Sequence, residues 1–109
     1  MSEITPLTRD NFASTALDHK GVYVIRFWAT WCGPCTMMHP IYRSVAEEMT
    51  PRAGFGEVDI DAAPELADAF GIRGVPTVMV LRDGHPVDQM VGVAPKGSYI
   101  AAIERQLAA

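Results

Sequence analysis

The chain has 109 residues, of which 49% are apolar and 20% charged, and its formal net charge is −4. That size suits one domain over residues 1–109, and the composition is globular rather than disordered. Thirteen acidic against nine basic residues exclude a protein that grips nucleic acid, or an anionic membrane surface, through Lys and Arg.

The N-terminal stretch Met1–Leu7 carries neither a basic region nor an apolar run of the secretory kind. No stretch approaches the roughly 20 apolar residues of a membrane-spanning helix, and Leu107-Ala108-Ala109 is no lipidation signal. The default expectation is a cytoplasmic protein with no membrane partner.

Ile4–Leu7 reads as a short edge strand, a position that tolerates Pro6. Thr8–Asn11 offers helix caps, and a short helix to Leu17 would set Phe12, Ala16 and Leu17 on one side. Val22–Trp28 is β-branched and aromatic on both alternating faces apart from Arg26, the pattern of a central strand covered on both sides. A long helix follows, with Met38, Ile41, Val45 and Met49 inward and Glu47 and Glu48 outward. Pro34 suits its first turn and Pro40 should kink it. Gly54–Ile60 reads as another strand, Ala62–Phe70 as a helix, and Gly71–Pro76 as a loop. Thr77–Leu81 and Val87–Val91 flank Asp83-Gly84, a strong hairpin signal. Pro95–Leu107 closes the chain as a helix with Ile100, Ile103 and Leu107 on one face. The order is β-α-β-α-β-α-β-β-α. Alternation implies parallel pairing, and the late hairpin adds one antiparallel pair.

The two cysteines, Cys32 and Cys35, are too close to staple distant parts of a fold. They sit where a strand meets a helix N-terminus, with unpaired backbone N–H groups and the positive end of the helix dipole at Cys32. Such a field favours a thiolate, the nucleophile of disulfide exchange, and Cys35 lies about one turn on, able to resolve a mixed disulfide. Gly33 leaves room for a substrate chain and Pro34 fixes the backbone between the sulfurs.

Here the sequence resembles the thioredoxin family over essentially its whole length. Trp31-Cys32-Gly33-Pro34-Cys35 is identical to that family's active-site motif. Phe27-Trp28-Ala29, Pro40, Val58–Asp61, Gly71–Thr77, Gly84 and Val91-Gly92 match as well. The resemblance implies a thioredoxin fold, an α/β architecture with a central mixed five-stranded sheet flanked by helices. It implies a protein-disulfide reductase in which Cys32 attacks, Cys35 resolves, and Pro76 is a cis-proline facing them. Val75 would offer backbone groups to an extended substrate, and Trp31, Gly74, Gly92, Val93 and Ala94 would form an apolar recognition surface. The implied partners are a thioredoxin reductase and disulfide-containing substrate proteins, met by a monomer. No phosphate loop or dinucleotide fingerprint is encoded, so no cofactor is expected and electrons arrive from another protein.

Three residues depart from the family's pattern. Thioredoxins usually place a buried Asp at position 26 and a Lys at 57; this chain has Arg26 and Glu57. The two are read as a pair bridging adjacent strands, with roles in proton transfer at Cys35 or in tuning the couple set against a purely structural one. Arg26 cannot lose its proton, so Glu57 or water must accept one. Thr36 replaces a cation that often follows the second cysteine.

Other chemistries are weighed against this one. Cys32, Cys35 and His39 form C-x-x-C-x-x-x-H, but a structural zinc needs four ligands and no metal site is expected. His39 is read as a helix-face residue near the cysteines, His19 and His85 as solvated loop residues. Glu57, Asp59 and Asp61 could suggest paired carboxylates, and Gly71-Ile72-Arg73-Gly74 an RNA-binding loop. Strand ends and the acidic charge speak against both. Met37, Met38 and Met49 are read as core or rim residues, and Trp28 as packing behind the cysteines. A disulfide oxidase or isomerase and a non-catalytic binding subunit remain as alternatives to the reductase.

Overall fold

The computed structural model describes residues 3–109. Met1 and Ser2, with which the stretch inspected for a leader begins, lie outside the described residues. The strands are β1 (Ile4–Pro6), β2 (Val22–Trp28), β3 (Gly54–Asp59), β4 (Thr77–Arg82) and β5 (His85–Val91). The helices are α1 (Gly33–Met49), α2 (Pro64–Ala69) and α3 (Lys96–Ala108), with a π-helical turn at Ala13–Leu17. One sheet holds all five strands in the order β1-β3-β2-β4-β5. The β-branched and aromatic β2 therefore lies at its centre, as its two-sided apolar pattern requires.

Strand alternation sorts β2 between two cores. Val22 and Val24 join Met38, Tyr42, Val45, Tyr99 and Ile103 under α1 and α3. Tyr23, Ile25 and Phe27 join Leu7, Phe12, Val58 and Leu81 on the other face. Arg26, two residues beyond Val24, consequently points beneath α1. On α1, Cys35, Met38, Tyr42, Val45, Ala46 and Met49 are buried, an i, i+3, i+4 stripe facing the sheet. The helix runs unbroken through Pro40.

Alternation of strands and helices misleads at β4. β1, β3 and β2 are parallel as it implies, but β4 pairs antiparallel with β2. The registers give the reason. β3 ends at Asp59 opposite Trp28, and β4 begins at Thr77 opposite Phe27. The chain after β3 never returns to the far end of the sheet. The six-residue α2 and the loop after it carry it across the same end, and it turns back as β4. That path lays Gly74, Val75 and Pro76 at the end where β2 runs into the cysteine loop.

Two smaller expectations are corrected. Phe12 and Ala16 are buried, but Leu17 is 38% exposed, because the residue adjacent to a buried helical stripe is rotated roughly a quarter turn from it. His19 is half-buried rather than solvated, its ring 5.2 Å from that of Tyr23. The hairpin has its expected turn, with positive φ at both Asp83 and Gly84.

Candidate active site

Cys32 is the N-cap of α1, in extended conformation, and Pro34 occupies the first turn. The backbone N–H of Cys35 donates to Cys32 Sγ at 3.2 Å, and the N–H of Thr36 to the Cys32 carbonyl at 3.2 Å. The Cys35 amide and the helix dipole thus stabilise negative charge on the Cys32 sulfur once the thiol is free, while the Thr36 amide begins the helical ladder. The two cysteines are joined as a disulfide with Cα atoms 5.3 Å apart. Cys35 retains 1% of its surface and Cys32 5%. Ala29, Trp28, Ile60 and Val75 pack around them, while Gly33 and Pro34 are exposed.

The loop before β4 faces this pair. The Val75 carbonyl oxygen lies 3.6 Å from Cys32 Sγ, and the Val75–Pro76 bond is cis, with Pro76 buried. Gly74 is pinned by Thr77, whose hydroxyl donates to its carbonyl at 2.6 Å. Beyond β5, Gly92 donates its N–H to the Pro76 carbonyl at 2.8 Å. Val75 thus lies against the sulfurs, and Gly92 is tied to Pro76, the next residue of that loop. Trp31 is 67% exposed, Val91 69% and Val93 42%, and they give this end of the molecule exposed apolar side chains. Trp31, Ile60, Ile72, Arg73, Gly74 and Val75 line a shallow groove beside the disulfide.

Several contributors escaped the sequence reading. Asp61 accepts the Trp31 indole N–H at 2.7 Å and so fixes the most exposed aromatic beside the site. Val91, next to Gly74, is one of these exposed apolar side chains. Tyr99 binds the Gly92–Ala94 segment from below.

Behind Cys35, Arg26 has no exposed surface. Its Nη1 donates to the Cys35 carbonyl at 3.0 Å, and its Nη2 to Glu57 Oε2 at 2.8 Å. His39 Nδ1 lies 2.7 Å from the same Nη2. A guanidinium only donates, so Nδ1 accepts and the His39 proton sits on Nε2. The Trp28 and Tyr42 rings each lie 5.5 Å from the guanidinium carbon, giving the cation aromatic faces as well as acceptors. Arg26 Nε has no hydrogen-bond partner among the described residues. Burial, then the Glu57 carboxylate, hold the Tyr42 hydroxyl well above the usual phenol range. Among the described residues, no cluster of three or more His, Cys, Asp or Glu is placed to hold a metal ion. No helix among them is long and apolar enough to cross a membrane.

A disulfide-bonded Cys-x-x-Cys pair whose first cysteine caps a helix is the site of a thiol–disulfide oxidoreductase. The comparisons with known proteins narrow the class. The thioredoxin family model matches residues 3–105. A putative thioredoxin 2 of Streptomyces coelicolor is 43% identical over 94% of this chain and 75% of its own length. A thioredoxin of Staphylococcus saprophyticus is 38% identical over 95% of this chain and 98% of its own. The crystal structure of Malassezia sympodialis thioredoxin superposes with a TM-score of 0.85 at 33% identity, covering 98% of this chain and 93% of that one. The chain belongs to the thioredoxin family, and Cys32 and Cys35 carry dithiol–disulfide exchange.

Proposed function

We propose that this thioredoxin is a general protein-disulfide reductase of the cytoplasm, working as a monomer and recycled by a thioredoxin reductase. The observation that carries the reading is the setting of Cys32 Sγ, which caps α1, accepts the Cys35 N–H at 3.2 Å and lies 3.6 Å from the Val75 carbonyl oxygen.

In the reduced form the Cys32 thiolate attacks one sulfur of a substrate disulfide. A Cys32–substrate disulfide forms, and the other substrate sulfur leaves as thiolate. Cys35 then gives up its proton and attacks Cys32 Sγ. The Cys32–Cys35 bond forms and the second substrate sulfur departs, so the substrate gains the two electrons that the dithiol loses. The Val75 carbonyl and the apolar rim of Trp31, Gly74, Pro76, Gly92, Val93 and Ala94 would align an extended substrate chain over Cys32. Arg26 cannot serve as a base, because its guanidinium stays protonated. It acts instead as a fixed cation behind Cys35, moderated by Glu57, and Glu57 or water takes the proton.

Insulin reduction coupled to a thioredoxin reductase tests the reading. The wild type turns over. Cys32→Ser is inactive, and Cys35→Ser accumulates a mixed disulfide through Cys32. No coupled turnover by the wild type, or trapping through Cys35 rather than Cys32, overturns it.

A further inference from the structure

Tyr99 belongs to α3, yet its hydroxyl is spent on the loop at the active site. The ring is buried, with 1% of its surface exposed. The hydroxyl accepts the Ala94 backbone N–H at 2.9 Å and stands 3.1 Å from the Gly92 carbonyl. Met38 Sδ on α1 lies 3.7 Å away. A phenol has one proton to give, and the carbonyl is the stronger acceptor, so the proton goes to Gly92 and Met38 is a packing neighbour. Burial holds the hydroxyl protonated by pushing its pKa up. Gly92 has a φ of +88°, and its N–H is already committed to Pro76 at 2.8 Å. The segment is thus fixed at three backbone atoms, two by Tyr99 and one by Pro76. Val93, between the tethered residues, is left to project outward.

We propose that Tyr99 is a positioning residue that holds the Gly92–Ala94 rim at a set distance from Pro76, and so tunes the recognition of polypeptide disulfides without altering the reactivity of the dithiol. The assignment rests on the reading above, in which Gly92, Val93 and Ala94 meet the substrate chain. A polypeptide must lie along the rim, so a loosened rim has to be ordered on binding and affinity falls. A small disulfide needs only to reach Cys32 Sγ and ignores it.

Tyr99→Phe keeps the ring and deletes both loop bonds. The expected result is a KM for insulin raised about 3–10-fold at unchanged kcat, a loss of uniform binding. The rate with hydroxyethyl disulfide stays at the wild-type value, and amide exchange at Ala94 is faster. An unchanged insulin KM in the folded variant, or an equal loss on both substrates, overturns the proposal. Val93→Asp separates this failure from that of the underlying reading. If it raises the insulin KM and Tyr99→Phe does not, only the assignment to Tyr99 falls; if it changes nothing, the rim itself is not a substrate surface and both fall. Should Tyr99→Phe not fold, amide exchange of the wild type decides. Protection at Ala94 supports the tether, and exchange at the rate of a free amide removes it.

Discussion

Arg26 and Glu57 sit directly opposite each other in the register of β2 and β3, joined at 2.8 Å, with the Arg side chain wholly buried and Glu57 19% exposed. A guanidinium in that place stays charged, so Glu57 is needed to offset a desolvation cost that the His39 and Cys35 acceptors only partly meet. Breaking a fully buried pair costs about 3–5 kcal/mol. Because Glu57 keeps some solvent and His39 remains, Glu57→Gln should cost about 2 kcal/mol. The double variant Arg26→Met/Glu57→Leu removes both charges and should return to within about 1 kcal/mol of wild type. Urea unfolding of the oxidised proteins reads both values. A Glu57→Gln protein as stable as wild type would show the pair to be dispensable.

If, as proposed, the same pair tunes the dithiol, Arg26, which binds the Cys35 carbonyl, should favour a thiolate there and Glu57 should oppose it. Neutralising Glu57 leaves the cation unmoderated, stabilises the reduced form and makes the couple more oxidising. A shift on the order of 10–30 mV is expected, since about 30 mV corresponds to a tenfold change in a two-electron equilibrium. Equilibration of Glu57→Gln with a glutathione buffer measures it. A potential that falls would reverse the sign of the assignment and place the dominant field elsewhere.

How far the sequence disclosed this arrangement depends on the range of each interaction. Period-2 alternation marked Arg26 as the one charge in a two-sided apolar strand, and the helical stripe placed Met38, Val45 and Met49 inward. The Arg26–Glu57 pair was legible through the resemblance, as two family positions with their charges exchanged on adjacent strands. The direction of β4 was not, because the order of strands and helices does not say to which end of the sheet a chain returns. His39 lies four residues and about one turn after Cys35, but its role depends on the buried Arg26 guanidinium, and a helix-face histidine carries no mark of that. Tyr99 was hidden for a different reason. Ile100, Ile103 and Leu107 gave α3 an apolar stripe without it, yet Tyr99 and Ala102 are more deeply buried than Ile100 and Leu107.

Tyr42 links the core to alkaline stability. Its hydroxyl donates to the Gly56 carbonyl at 2.8 Å, with the Val24 carbonyl at 3.2 Å. Ionising it would place a phenolate against two carbonyl oxygens and Glu57. Its pKa is raised on folding, so the folded state holds the proton after the unfolded chain has released it. The contribution is complete below the unfolded phenol pKa of about 10 and is lost as pH rises through the folded value, with a slope of up to about 1.4 kcal/mol per pH unit. Tyr42→Phe removes that slope while costing about 1 kcal/mol at neutral pH for the lost hydrogen bond. Unfolding free energies measured from neutral pH into the alkaline range check it. Parallel curves for the two proteins would exclude Tyr42 as the group responsible.

Two glycines test the backbone with opposite expected signs. Gly84 turns the β4–β5 hairpin at a φ of +82°, and a Cβ there would collide with the Leu17 carbonyl oxygen. Both the left-handed conformation and the contact oppose a side chain, and the obstacle is backbone that cannot swing aside. Gly84→Ala should lose about 2–3 kcal/mol. Gly97 lies in the first turn of α3, and a Cβ there meets nothing within 4 Å. Gly97→Ala reduces the freedom of the unfolded chain and improves helix propensity, so it should gain about 0.5–1 kcal/mol. Urea midpoints at a common slope compare the two directly. Equal effects would mean that helix propensity and turn geometry do not govern these positions, and a stable Gly84→Ala would require the π-helical turn that ends at Leu17 to move away from the hairpin.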